Sequence, residues 1–194
     1  MTFSNKWDTC YKNKTHSMNN WPFSDLVSYV MRFSKPGKSK IRVLELGCGS
    51  GANIPFFLSL NAEYFGIDGS KITIRKLKKK NPMLKNNIVV GDFTKELPFQ
   101  KKFDLIVDRA SINHNPTNGI KKCLDLVHQK LKTNGKFIGI DWYSTRDIGY
   151  KSGRKTNDIF TKSYVGGRYY GVSKIHFNNE KHLLNLLKNF KILC

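Results

Sequence analysis

From residue 41 onward, short runs of β-branched and apolar residues alternate with stretches of helical periodicity. Ile41-Arg42-Val43-Leu44-Glu45-Leu46 predicts a first strand running into Gly47-Cys48-Gly49-Ser50-Gly51, and residues 53–60 predict a short apolar helix. Residues 63–67 predict a second strand closed by Asp68-Gly69. Ser70 then stands where an N-cap belongs, ahead of a basic helix over 71–80 that Asn81-Pro82 stops. Residues 87–90 and 103–107 predict strands three and four, residues 118–131 a helix ended by Thr133-Asn134-Gly135, and residues 136–142 a fifth strand. Leu105-Ile106-Val107 and Phe137-Ile138-Gly139-Ile140 are apolar at successive positions, which a strand tolerates only when both its faces are covered. The expected fold class is therefore α/β: a Rossmann-like, doubly wound, mostly parallel sheet with helices on both faces.

The flanks read differently. Residues 1–36 form a helical N-terminal lid segment with Trp7, Tyr11 and Trp21, and a helix over 22–33 that opens on Pro22. Residues 37–142 make the cofactor-binding core. Residues 143–177 show little periodicity and contain Arg146, Arg154, Gly166-Gly167-Arg168-Tyr169-Tyr170 and His176, the composition of a substrate or lid insertion. Residues 178–194 supply a final helix and a strand over 190–194, all within a single domain.

Charge changes this picture less than its size suggests. The chain has 194 residues, of which 34 are Lys or Arg and 14 Asp or Glu, a net charge of +20. A balance that basic raises the question of nucleic acid. The excess is spread along the whole chain, and Lys outnumbers Arg 27 to 7, whereas phosphate and guanine recognition favour the Arg fork. Eighteen Asn accompany the lysines, so biased residue usage explains the charge more readily than a polyanionic substrate does. Nucleic acid is a candidate partner that the sequence does not favour. Cys10, Cys48, Cys123 and Cys194 are widely spaced, with no metal-ligand pattern, and no metal is expected. Free thiols, the lack of a signal-peptide pattern and the lack of a membrane-spanning apolar run point to the cytoplasm.

Ligands of a doubly wound sheet bind beyond the carboxyl ends of the strands, where strand order reverses, and the first strand-to-helix turn lies there. Gly47, Gly49 and Gly51 occupy that turn, and Asp68 ends the next strand, where a carboxylate can accept both hydroxyls of a ribose. The letters also fit a dinucleotide turn ending at Ala52. Glu45 argues against it, because an acid beside that turn repels pyrophosphate and suits an ammonium-bearing ligand.

At these residues the chain resembles the class I S-adenosylmethionine-dependent methyltransferases, whose first motif is matched by Val43-Leu44-Glu45-Leu46-Gly47-Cys48-Gly49-Ser50-Gly51. Tyr64-Phe65-Gly66-Ile67-Asp68, Val90-Gly91-Asp92-Phe93, Phe103-Asp104-Leu105-Ile106-Val107-Asp108 and Leu131-Lys132-Thr133-Asn134-Gly135-Lys136-Phe137 resemble later motifs in the family's order. The resemblance implies S-adenosyl-L-methionine as cofactor, Asp68 on its ribose, Asp92 on the adenine amino group and Phe93 in backbone and apolar contact. Cys48, Asn53, Gly69, Ser70 and Asp108 complete the expected cofactor contacts, with Cys48 also a small residue packed in the turn. The family usually carries a last antiparallel strand that is missing here; the sheet edge this would leave points to a homodimer.

Methyl transfer needs an acceptor held in line and, for a protonated acceptor, a base. His114, six residues beyond Asp108, is the candidate base, with Asp108 beside it. Arg109, Arg168, Tyr169, Trp7 and Tyr11 are the candidate acceptor contacts. The segments over 21–28 and 107–115 are similar to bacterial methyltransferases associated with surface-polysaccharide synthesis. The expected reaction is methylation of an oxygen, less favourably a nitrogen, of a small molecule or glycan precursor. RNA methylation and a non-catalytic cofactor-binding protein stay open; salt-sensitive RNA binding would mark the first, and cofactor binding without transfer the second.

Overall fold

The computed structural model describes residues 6–13, 20–37, 39–166, 169, 171 and 174–193. Its centre is a five-stranded sheet in the order β3-β2-β1-β4-β5, formed by β1 (Arg42–Leu46), β2 (Glu63–Asp68), β3 (Ile88–Val90), β4 (Phe103–Arg109) and β5 (Leu131–Ile140). Every neighbouring pair is parallel. Alternate side chains go to opposite faces, so the near-continuous apolar strands feed two separate cores. Val43, Tyr64, Leu105 and Val107 pack with Leu26, Ile54, Phe57, Ile74 and Leu77, which come from α2 (Ser24–Tyr29), α3 (Ile54–Ser59) and α4 (Lys71–Lys80). Leu44, Leu46, Phe65, Ile67 and Ile106 pack on the other face against Ile120, Cys123, Leu124 and Val127 of α5 (Thr117–Lys130) and Leu186 of α7 (Glu180–Leu186). The doubly wound α/β expectation holds, and strand order reverses between β1 and β4, at the Gly-rich turn.

Element ends move where local chemistry decides them. Ser70 Oγ accepts from the Thr73 amide and starts α4 where the sequence places it. Pro22 lies ahead of α2, and the helix expected over 22–33 is instead α-helical over Ser24–Tyr29 and then widens into a π-helical turn, Val30–Ser34, closed by Lys35 at φ 46°. β5 starts earlier than expected and absorbs Thr133-Asn134-Gly135 as an irregularity: Phe103 pairs with Leu131, and Leu105 with Lys136. It ends at Ile140, not 142, because Asp141 takes φ 59°, and the Trp142 ring folds back over Gly139.

The aperiodic stretch after Trp142 is ordered by tyrosines. It forms a second sheet, β6-β9-β8-β7, from β6 (Tyr143–Ser144), β7 (Arg154–Lys155), β8 (Thr161–Ser163) and β9 (Lys174–Asn178), with α6 (Ile148–Ser152) in its course. Tyr169, Ile175 and Phe177 are its core, packed by Tyr143, Tyr150 and Tyr164. Strands of two to five residues are too short to show a period of two, which is why the sequence reads as loop. The strand expected at the C-terminus does not form over described residues 190–193, because Phe190 serves as an anchor against Phe137 and His128. The final helix is shorter than expected and is capped by Asn179, whose Oδ1 accepts from the His182 amide. Among the described residues no helix is long and apolar enough to cross a membrane.

Candidate functional site

The Gly-rich turn follows β1 and is built around positive φ. Gly47, Gly49 and Gly51 sit at φ 64°, 50° and 78°, in the left-handed region that side chains avoid. A Cβ on Gly47 would collide with the Ser111 side chain, and one on Gly51 would come within 2.6 Å of Leu77 Cδ2. The turn is tied to the end of β2. Gly47 and Cys48 amides donate to Ile67 O at 2.8 and 3.3 Å, and the Gly49 amide donates to Asp68 Oδ2 at 2.9 Å. Asp68 Oδ1 accepts from the Ser70 amide at 2.8 Å.

Three buried carboxylates surround this turn, and among the described residues none of them is in an ion pair. Glu45 Oε1 accepts from Asn53 Nδ2 at 2.7 Å and Oε2 from Tyr64 OH at 2.6 Å; burial outweighs both bonds and pushes its carboxyl up to about 7. Burial likewise raises Asp68, against the amides of Ser70 and Gly49, and Asp108, against donors from Ser111 and Trp142. Each of these burials disfavours charge, so a ligand bringing positive charge is welcomed and a pyrophosphate is not. A turn with glycine at 47, 49 and 51, a carboxylate at the end of β2 with one lone pair left on each oxygen, and buried acids without an ion partner among the described residues fit S-adenosylmethionine, whose sulfonium and ammonium are cationic.

The remaining expected residues divide sharply. Asp92 Oδ1 accepts from the Thr94 amide at 3.0 Å and from Thr94 Oγ1 at 2.6 Å, closing its own turn at the end of β3, with Phe93 half-buried against the second core. The Cys48 thiol is buried under Gly66 and pushed up by burial, so it stays a thiol and packs. α1 (Lys6–Asn13) covers the turn: Tyr11 OH lies 3.0 Å from the place a Gly49 Cβ would take, and Ser70 Oγ donates to Asp8. Burial, followed by Asp68, pushes the Tyr11 phenol well above its usual range. Trp7, one turn back, meets the His114 ring edge-on at 4.8 Å, whereas Trp21 is 82% exposed and covers nothing. His114 Nδ1 is 3.0 Å from the Lys174 carbonyl of β9. A carbonyl only accepts, so Nδ1 carries the proton and Nε2 the lone pair.

Three of the expected residues have their side chains engaged within the chain. Asp108 is fully buried and takes donors from Ser111 Oγ, the Ser111 and Ile112 amides at 3.1 and 3.0 Å, and Trp142 Nε1 at 2.7 Å. Its carboxylate orders the turn after β4 and is not presented to an acceptor. Arg109 turns to the start of α2, with its guanidinium 3.6 Å from the Phe23 ring, Nη2 2.6 Å from Asp141 and Nε 3.8 Å from Asp25. Tyr169 is in the core of the small sheet, its OH 3.3 Å from Asp147 Oδ1. Arg168 lies outside the described residues. Sequence reasoning missed Asp8, Tyr64, Ser111 and Trp142; only Tyr64 and Ser111 fall inside motifs, where their polar atoms could have drawn notice.

A parallel 3-2-1-4-5 sheet with this turn and these acids is the frame of a doubly wound, nucleoside-binding fold. Residues 43–135 match the model of a family described as methyltransferase domain. That match covers just under half of the chain. No curated protein matches the sequence. Among solved structures, the chain is similar to a S-adenosylmethionine-dependent methyltransferase from Clostridium acetobutylicum (18% identity, 92% of this chain and 86% of that one, TM-score 0.67). It is also similar to the PH0226 protein of Pyrococcus horikoshii (20% identity, 89% and 85%, TM-score 0.65). A third similar structure is the sugar N-methyltransferase KedS8 of a Streptoalloteichus species (14% identity, 94% and 83%, TM-score 0.64). At these identities the likeness is one of fold.

Proposed function

We propose that this protein is an S-adenosylmethionine-dependent methyltransferase that methylates a hydroxyl of a small molecule or of a sugar or glycan precursor, with His114 as general base. The observation that supports the reading is the His114 Nδ1 bond to the Lys174 carbonyl, which sets the tautomer of the ring in the turn after β4, beside the reversal of strand order. A hydroxyl has to shed its proton as it attacks, so a fixed imidazole lone pair is useful to it. A neutral amine attacks without such help.

S-adenosylmethionine, when bound, supplies a methyl group on a positively charged sulfur. The chain's own residues do the rest. Asp68 accepts the ribose hydroxyls and Asp92 the adenine amino group. Glu45 offers its carboxylate to the ammonium end, and Gly47, Gly49 and Gly51 let the backbone approach. Tyr11 and Trp7 on α1 exclude water, which keeps attack in line and prevents loss of the methyl group to solvent. Asp108, through Ser111 and Trp142, holds the turn that carries His114.

Amine methylation is the second reading, favoured by the similarity to a sugar N-methyltransferase. Incubation with isotope-labelled cofactor and separated pools of sugar nucleotides, small metabolites and RNA, followed by mass spectrometry, tests both. A labelled methoxyl on a sugar or small molecule supports the proposal, a labelled N-methyl supports the second reading, and label confined to RNA overturns both.

A further inference from the structure

Away from the cofactor turn, four side chains form an unbroken hydrogen-bonded chain across α7, β9 and β8. His182 Nε2 and His176 Nε2 are 3.1 Å apart, and His176 Nδ1 is 3.1 Å from Thr161 Oγ1. Thr161 Oγ1 donates to Asp158 Oδ2 at 2.8 Å, and the same oxygen accepts from the Thr117 amide at 2.6 Å. His176 is fully buried and His182 is 8% exposed, with the Phe160 ring stacked on His182 at 3.6 Å.

The order of protons along this chain is forced. Burial raises the Asp158 carboxyl, but the bonds from Thr117, Thr161 and Phe160 outweigh it and hold the group below its ordinary value, so it only accepts. Thr161 has one hydroxyl proton and gives it to Asp158. Its oxygen must then accept from His176, which fixes the His176 proton on Nδ1 and the lone pair on Nε2. His182 must in turn donate from Nε2. One tautomer is permitted for each ring. The charged groups facing them are Asp158, 3.8 Å from His176 Nδ1, and Lys121 of α5, which acts on His182. Burial pushes His176 down to about 4, so it is neutral at physiological pH. An extra proton on His182 Nδ1 leaves the chain intact, whereas one on His176 Nε2 puts two protons in the single gap between the rings.

This chain reaches the segment that carries His114 from one end, Asp158, and from its middle, through the strand that carries His176. Asp158 takes the amide of Thr117, the first residue of α5, and β9, which carries His176, presents the Lys174 carbonyl to His114 Nδ1 two residues earlier. We propose that His182, His176, Thr161 and Asp158 are positioning residues for methyl transfer, a proton-ordered chain that holds β8 and β9 on the turn over 112–117 and so fixes the orientation and tautomer of His114. Its catalytic consequence rests on His114 as base; the chain itself does not.

Imidazole nitrogen NMR of the full chain tests it without an acceptor. The wild-type protein is expected to show single tautomers at neutral pH: His176 protonated at Nδ1, His182 at Nε2 and His114 at Nδ1. Thr161→Val keeps the shape and removes the relay oxygen. It is expected to turn His176 and His114 into tautomer mixtures and to speed exchange of the Thr117 amide by about tenfold or more, the effect of one lost buried hydrogen bond. Affinity for S-adenosylhomocysteine stays within about twofold, since the two sites do not share partners. Asp158→Ala, should the first variant not fold, removes the acceptor and is expected to release the Thr117 amide likewise. A wild-type His176 protonated at Nε2, or unchanged His114 and Thr117 signals in the folded variants, overturns the proposal. Normal turnover in His114→Ala would remove the base while leaving these tautomers in place, so the two ideas fail separately.

Discussion

The Gly-rich end of the main sheet and the small sheet after Trp142 solve one problem, holding polar groups in fixed geometry, in opposite ways. At the turn over 47–51 the backbone does the work: positive φ at three glycines, amides from Gly49 and Ser70 on Asp68, and acids kept buried. In the small sheet the side chains do it, with tyrosines for a core and a histidine-threonine-aspartate chain for alignment. A site for one invariant cofactor tolerates rigid backbone, whereas the region that, on the proposed function, chooses an acceptor is built from replaceable side chains on short strands.

That contrast is broken most violently at Gly47. Gly47→Ala should destabilise the protein by about 3 kcal/mol, combining the left-handed penalty with overlap on Ser111, and urea unfolding would read it. A variant as stable as the wild type would remove the backbone account.

Glu45 gives an effect of similar size that depends on pH. Its folded value near 7 lies above the ordinary glutamate value, so the folded state keeps its proton while the unfolded chain ionises. Stability should be undiminished below the unfolded value, fall by about 3 kcal/mol as pH rises to 7, and level off above it. Glu45→Gln should flatten that slope. Cofactor binding, which brings an ammonium, should release a proton, seen as a buffer-dependent binding heat; an identical slope in the variant would contradict the assignment.

At Asp68 the expected loss of cofactor binding is smaller and accompanies release of the Gly49 and Ser70 amides. Asp68→Ala should weaken binding by about 1 to 3 kcal/mol in calorimetric titration, the range for a charged hydrogen bond. Unchanged affinity would refute the ribose assignment. Smallest is Arg109→Ala, which should cost about 1 kcal/mol of stability by releasing Phe23 and Asp141, and leave cofactor affinity and turnover alone. A large rise in the acceptor KM would restore Arg109 to the acceptor site.

The same contrast explains what could be read in advance. Glu45, the three glycines and Asp68 were legible because a turn that needs positive φ and a strand that ends on an acid leave their demands in consecutive letters. The five parallel strands were legible because burial on both faces leaves unbroken apolar runs. Asp108 and Arg109 were read by position alone, and their partners Trp142, Phe23 and Asp141 lie far along the chain, where no local pattern points to them. The small sheet was illegible for a related reason: its two- to five-residue strands carry no period, and Tyr169 meets Tyr143 and Phe177 only in three dimensions. Asp8 went unseen because nothing in its own sequence neighbourhood announces Ser70.

The central claim, that cofactor binding and acceptor activation reside in separate regions joined at His114, has one direct test. His114→Ala should lower kcat by about a hundredfold or more, the contribution of a positioned base, while calorimetry shows the wild-type affinity for S-adenosylhomocysteine. Near-normal kcat would contradict the account, and so would a loss of cofactor affinity in step with the loss of turnover.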